Sequence, residues 1–184
     1  MRKLIFAINI TADGSCDHTT QLPDEEVHRY FSQLLREIDV HVFGRKTYEL
    51  MVPYWPDIAK NPTTEEWENE FAREFVSTRK VVFSRTAGGV EDKNTRVVST
   101  NLHDEMVKLK QETGKGILVG GVDVSSQLIK LGLVDEYRFV VGPVIAGEGR
   151  RLLEGVSLEE KLRLKLVDAK VFKSGCVAHR YVKG

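Results

Sequence analysis

Apolar and polar positions along the 184-residue chain follow two rhythms, and the switches between them set out an order of elements. Leu4–Ile10 is a short apolar run rich in β-branched residues and closed by Asp13-Gly14, which reads as a buried strand. After a polar loop over 15–21, Pro23-Asp24-Glu25-Glu26 brings the proline and acids of a helix N-terminus. Val27, Tyr30, Phe31, Leu34 and Leu35 then recur at helical spacing. Ile38–Phe43 is a second strand ended by Gly44, and Arg45–Met51 a short helix. Pro53, Pro56 and Pro62 mark the next stretch as a loop. Thr63-Thr64-Glu65-Glu66 offers a capping box for a helix that carries Trp67, Phe71 and Phe75 on one face.

Further on, Lys80–Ser84 and Arg96–Ser99 read as strands, and Asn101 caps a helix over 102–112. Gly116–Val119 is a strand, followed by Gly120-Gly121 and a helix from Asp123 to Leu131 stopped by Gly132. Val134–Val141 is another strand. Leu162, Leu164 and Leu166 alternate with Lys161, Arg163 and Lys165 in the period of a half-buried strand, and the Ser174-Gly175 turn returns the chain through Val177–Val182. Strands alternating with helices and then a hairpin predict an α/β fold. Its single mixed sheet is mostly parallel, flanked by helices, and closes with a C-terminal antiparallel β-hairpin. No repeat or linker divides the chain, so 1–184 is expected to be one domain.

Composition narrows the class. With 41% apolar and 29% charged residues, 15 Gly and 5 Pro, the chain is neither collagenous nor of low complexity. The 27 basic residues balance the 27 acidic ones, which argues against a nucleic-acid partner. Cys16 and Cys176 lie far apart with no C-x-x-C, so zinc of that type is excluded and nothing suggests an oxidising compartment. The opening MRKLIFAINI has the charge of a signal peptide, but its apolar stretch is too short and no small-residue cleavage site comes after it. No apolar run approaches the ~20 residues of a membrane span. The expectation is a soluble, cytoplasmic protein without a membrane partner.

Three segments place glycine or small polar residues at the C-terminal end of a strand, the edge where open α/β sheets bind ligands. Gly44-Arg45-Lys46-Thr47-Tyr48-Glu49 combines a turn, a helix start, a cation and a hydroxyl, all suited to a phosphate; an ordinary strand–helix turn is the other reading. Ser84-Arg85-Thr86 offers a hydroxyl and a guanidinium to a second anionic group such as a ribose 2′-phosphate, or is a plain turn. Gly120-Gly121-Val122 lets a pyrophosphate approach the backbone, although it is not G-x-G-x-x-G.

Taken in order, Thr11-Ala12-Asp13-Gly14, Gly44-Arg45-Lys46-Thr47-Tyr48-Glu49, Ser84-Arg85-Thr86, Gly120-Gly121 and Leu133-Val134-Asp135-Glu136 resemble one family nearly end to end. The chain is similar to the dihydrofolate reductase fold, closest to the reductase domain of the bifunctional riboflavin-biosynthesis deaminase/reductase and its stand-alone relatives. The resemblance implies NADPH as cofactor. Its 2′-phosphate would lie near Arg45, Thr47, Ser84 and Arg85, and its pyrophosphate on Gly120, Gly121 and Val122. The nicotinamide would lie against Ala7, Ile8 and Gly14, and Gly44 would allow close approach. Such a cofactor carries the hydride chemistry, while the site supplies orientation, dryness and a proton donor.

For the donor, Asp13, Asp24 and Glu25 are the candidates, with Glu26 beside them. Turn formation at Asp13 and helix-start complementation at 24–26 are the alternatives. His28 and Trp55 are candidates for touching the substrate, against a solvated helix face and a loop aromatic tucked onto the domain. His41 is expected to be a core histidine with its hydrogen bonds satisfied. The deaminase zinc signature is missing, and Glu148 interrupts the family's glycine-rich loop before Arg150-Arg151. The resemblance thus implies an NADPH-dependent reductase of a small heterocyclic substrate, like the riboflavin-pathway 5-amino-6-(5-phosphoribosylamino)uracil reductase. A dihydrofolate reductase proper and a non-catalytic nucleotide-binding protein of the same fold are the alternatives. Homodimers are common among such proteins, so a homodimer is expected too.

Overall fold

A computed structural model describes residues 1–20, 24–85 and 92–184. Pro23 and Thr86, which belong to the motifs above, lie outside the described residues. The strands are β1 (Leu4–Thr11), β2 (Ile38–Gly44), β3 (Arg79–Phe83), β4 (Thr95–Val98), β5 (Gly116–Val119), β6 (Glu136–Gly142), β7 (Leu164–Val171) and β8 (Val177–Lys183). The α-helices are α1 (Glu25–Arg36), α2 (Arg45–Lys60), α3 (Glu66–Ser77), α4 (Leu102–Gln111) and α5 (Asp123–Lys130). The strands form one eight-stranded sheet in the order β4-β3-β2-β5-β1-β6-β8-β7. Pairing is parallel from β4 through β6, and β8 is antiparallel to both β6 and β7.

Alternation along β1 explains the layering. Leu4 and Phe6 enter one cluster with Val40, Val42, Val119, Met106 of α4 and Leu128 of α5. Ile5 and Ala7 enter another with Leu34 and Leu35 of α1, and Phe71 and Phe75 of α3. Successive side chains of a strand point to opposite faces, and a strand covered on both sides is apolar at both sets of positions. Hence the unbroken apolar run of Leu4–Ile10.

One expectation fails at 53–60. The prolines do not end α2, which runs through Pro53 and Pro56 to Lys60. An interior proline costs about 3 kcal/mol. Tyr48, Met51, Val52, Trp55 and buried Ile58 nevertheless recur at helical spacing, and the first four pack on the α1–α3 side cluster. That apolar stripe outweighs the two prolines. The capping box at 63–66 does not form either: Glu65 is the N-cap and makes no side-chain cap bond. Instead the buried Asn69 amide grips Thr63, accepting from its N–H at 2.9 Å and donating to its carbonyl at 2.9 Å. Asp24 and Asn101 do cap their helices, accepting from Val27 and from His103 and Asp104.

Both cysteines are free and half-buried. Among the described residues no helix is long and apolar enough to cross a membrane.

Candidate active site

The C-terminal ends of β2 and β5 are adjacent, because Val42 pairs with Val119. Two helices therefore start side by side: α2 after Gly44, and α5 after Val122, neither with a side-chain cap bond. Between them lies a cleft lined by Gly44, Lys46, Thr47, Gly120, Gly121, Val122, Asp123 and Val124. Free first-turn N–H groups and the positive ends of two helix dipoles make such a place attractive to phosphate oxygens.

Gly121 needs to be glycine, and at Gly120 and Gly44 a Cβ would crowd its neighbours. Gly121 has φ +78°, and a Cβ on it would collide with Thr47 Oγ1. A Cβ on Gly120 would stand 3.2 Å from His41 Nε2, and one on Gly44 3.3 Å from Val124. The glycines keep the turn flat enough for Thr47 to close against it. Uncapped helix starts and the Lys46 ammonium suit a phosphate chemically, and the cleft itself is narrow, about 10 Å³. Asp123 faces the same cleft, and its charge is met by Arg150 through bonds of 2.6 and 3.1 Å. That pair holds the Asp123 carboxyl below its ordinary range. Lys46, Asp123 and Arg150 were not among the residues expected here; the acid opening a helix straight after Gly-Gly was the one available signal.

Register brings in the second anion segment. Gly44 pairs with Phe83, so Ser84 and Arg85 come beside the start of α2 at one strand spacing. Ser84 N–H donates to the Val98 carbonyl at 3.0 Å, and Arg85 is exposed. Arg45 lies outside the cleft lining, with its Nε bonded to Glu49 at 2.6 Å.

An unpaired strand edge lies next to the cleft. The pairing of β1 with β5 ends at Phe6 and Val119, whereas β1 continues beside β6 until Thr11 meets Gly142. Among the described residues, one edge of Ala7–Ile10 thus has no neighbouring strand, next to the Gly120-Gly121 turn. Ala7, 7% exposed, and Ile8 lie along that edge. Gly14 (φ +86°) lies beyond it, with Arg151 close above.

The candidate acids have other duties. Asp13 accepts from the Thr11 hydroxyl at 2.5 Å, from Ala146 N–H at 3.1 Å and from Gly147 N–H at 2.9 Å. The Thr11 hydroxyl, then the two amides, hold its carboxyl down at about 2. At neutral pH Asp13 therefore carries no proton to give, and it works as a clasp between the 11–16 and 143–151 segments. Backbone bonds from Ala12 to Val144 (2.8 Å) and from Cys16 to Arg150 (2.7 Å) complete that seam, and Arg151 donates to the Asp13 carbonyl. Asp24 caps α1 through Val27 N–H at 2.7 Å, Glu25 pairs with Arg29 at 2.9 Å, and Glu26 accepts from Lys173 N–H at 2.7 Å. Proton donation expected of Asp13, Asp24 and Glu25 thus meets three carboxylates already engaged.

His28 is the larger surprise. It does not lie on a solvated face: its ring packs 4.5 Å from Trp67 and 6.0 Å from both Trp55 and Phe71, centroid to centroid. Burial pushes its imidazolium form down. Its Nδ1 lies 2.8 Å from the Asp24 carbonyl, which can only accept, so the neutral ring carries its proton on Nδ1 and leaves Nε2 as an acceptor. The structure thus joins His28 to Trp55, both substrate candidates, and adds Trp67. His41 is buried as expected, but its Nδ1 has no hydrogen-bond partner. Burial, with the nearby Lys80 charge, pushes it down to about 3, so it stays neutral.

Solved structures define the class. A pyrimidine reductase-like protein from Corynebacterium diphtheriae superposes with a TM-score of 0.68 at 17% identity, over 100% of this chain and 92% of that one. Dihydrofolate reductase from Enterococcus faecalis, solved with NADP(H), gives 0.64 at 14% identity over 99% and 96%. The fold is that of the dihydrofolate reductases. Within it, the family profile described as the RibD C-terminal domain matches residues 2–178, and the chain belongs to that family. YyaP of Bacillus subtilis (strain 168), described as uncharacterized, is 33% identical over 180 residues, covering 96% of this chain and 92% of YyaP.

Proposed function

We propose that the protein is an NADPH-dependent reductase of a small heterocyclic substrate, of the 5-amino-6-(5-phosphoribosylamino)uracil reductase kind. The observation that carries this reading is the cleft where the uncapped starts of α2 and α5 meet over Gly120-Gly121, beside the unpaired edge of β1. When bound, NADPH supplies the hydride. Gly44, Thr47, Gly120, Gly121 and Val122 hold its pyrophosphate, with Lys46 adding charge. Arg45, Ser84 and Arg85 meet the 2′-phosphate, where a guanidinium favours NADPH over NADH. Ala7, Ile8 and Gly14 border the ring. His28 and Trp55 wall the substrate side.

A second reading has an observation in its favour. Asp13, Asp24 and Glu25 are all committed elsewhere, which suits a nucleotide-binding protein without turnover.

Titrating the protein with NADPH and separately with NADH, by calorimetry or nucleotide fluorescence, tests the main reading. Tight NADPH and weak NADH binding is expected; binding of neither overturns it. NADPH binding without turnover of pyrimidine or pterin substrates selects the second reading.

A further inference from the structure

A second cavity, of about 330 Å³, lies at the opposite edge of the sheet, where β1, β5 and β6 begin and β8 ends. Five basic side chains line it, Arg2, Lys3, Lys115, Arg138 and Arg180, against two acids, Glu37 and Glu136.

The pairings show which charges are already balanced. Glu136, 1% exposed, accepts from Arg180 Nε at 2.9 Å and Nη2 at 3.0 Å, and from Arg138 Nε at 2.7 Å. Arg138 turns its two Nη groups to Glu37, at 3.2 and 2.5 Å. Arg2 is met by Asp39 and, at 3.5 Å, by Glu112. Three arginines thus stand against Glu136, Glu37 and Asp39, while Glu112 is met more closely by Arg79, at 3.0 Å. Lys3 and Lys115 are left over. Lys3 is 63% exposed, and among the described residues its one ion-pair partner is the already compensated Glu136, at 3.7 Å. Lys115 Nζ reaches the Arg36 carbonyl at 3.1 Å, and no carboxylate lies within ion-pair distance of it among the described residues. Arg2 Nη1 is buried and makes no hydrogen bond, with the Glu112 carboxylate 3.5 Å away.

We infer that this cavity binds a small oxyanion carrying two negative charges, a phosphate monoester or a dicarboxylate, held chiefly by Lys3 and Lys115 over the arginine floor. Two surplus ammonium groups match one dianion. The floor arginines are fixed by Glu136 and Glu37, so little order has to be gained on binding. A cavity of this size admits a compact metabolite, not a polymer. Basic groups at this edge also complement the C-terminal ends of α1 and α4. That role alone would make Lys3 and Lys115 matter for stability and not for binding.

Amide NMR titrations with inorganic phosphate and, separately, succinate, at constant ionic strength, test the inference. One or both should give saturable shifts at Lys3, Lys115, Gly116 and Arg180 in the low-millimolar range. The double variant Lys3→Ala/Lys115→Ala should weaken that binding roughly tenfold or more, since each lost contact is charge-assisted. Neither substitution touches the buried arginines, and an unchanged spectrum elsewhere verifies the fold. Which anion saturates tells phosphate from carboxylate. Absence of saturation with both, equal binding by the double variant, or shifts confined to Gly44 and Gly121 would each overturn the inference.

Discussion

Gly121→Ala separates two effects at the turn. Its φ of +78° costs an L side chain about 1–2 kcal/mol on conformational grounds alone. The added Cβ also drives into Thr47 Oγ1 and comes within 3.2 Å of Thr47 Cβ, where overpacking typically adds ~1–3 kcal/mol. Gly132 supplies the control, because its φ is +69° and a Cβ there meets nothing within 4 Å. Gly132→Ala should therefore lose only the conformational part, and Gly121→Ala measurably more, in urea unfolding read by circular dichroism. Thr47→Ala in the Gly121→Ala background should recover most of the difference, since the two sites are in contact. Nucleotide titration adds a second readout. Displacing Thr47 and the turn should weaken NADPH at least tenfold, or about 1.4 kcal/mol, whereas Gly132→Ala leaves it unchanged. Equal destabilisation by the two variants, with NADPH affinity intact in both, would refute the steric argument and the placement of the nucleotide together.

Three further outcomes are expected. Arg85→Ala should weaken NADPH by roughly 1.5–3 kcal/mol and leave NADH nearly unchanged, as for a lost charge-assisted hydrogen bond; equal losses would sink the 2′-phosphate assignment. Because folding depresses the Asp13 carboxyl to about 2, its contribution is complete above the ordinary value near ~3.9 and lost as pH falls between the two. Asp13→Asn should flatten the urea midpoint across that window and speed amide exchange at Ala146 and Gly147, and an unaltered acid limb would count against the clasp. The His41 ring resists protonation down to about 3, so the unfolded chain takes up the proton first, from about pH 6.5 downward, and stability falls over that interval. His41→Leu should shallow that decline, leaving the part due to buried His28, and remove the orphaned Nδ1; the same slope in both proteins would show that His41 does not contribute to it.

The sequence disclosed local features best. The apolar run of β1, the stripe of α1 and the Gly-Gly turn before α5 arise from spacing of a few residues, and the structure places them as expected. The prolines of α2 misled because a breaker is read locally, whereas the packing of Met51, Val52 and Trp55 that overrides it is not. Asp13 looked like a turn residue with a spare carboxylate; its amide partners lie 133 and 134 positions away. His28 looked solvated on its own helix, and only the convergence of α2 and α3 on α1 encloses it. The placement of Gly44, Ser84 and Gly120 at the ends of strands came through because each is a local feature, one strand end followed by one turn.

The strand order has a consequence for how the chain is made. β5, at Gly116–Val119, is inserted between β2 and β1. A nascent chain therefore carries the two innermost edges of its sheet unjoined until more than half of it has been synthesised. During that interval β1 and β2 each offer unsatisfied backbone to any strand that approaches. β5 is four residues long and acts as a keystone: on arrival it pairs with β1, where Ile117 meets Leu4 from 113 positions earlier, and with β2 on its other side. Substitutions within Ile117–Val119 should act on yield during synthesis out of proportion to their effect on the finished molecule, because long-range closure is the slow event in a topology of this kind.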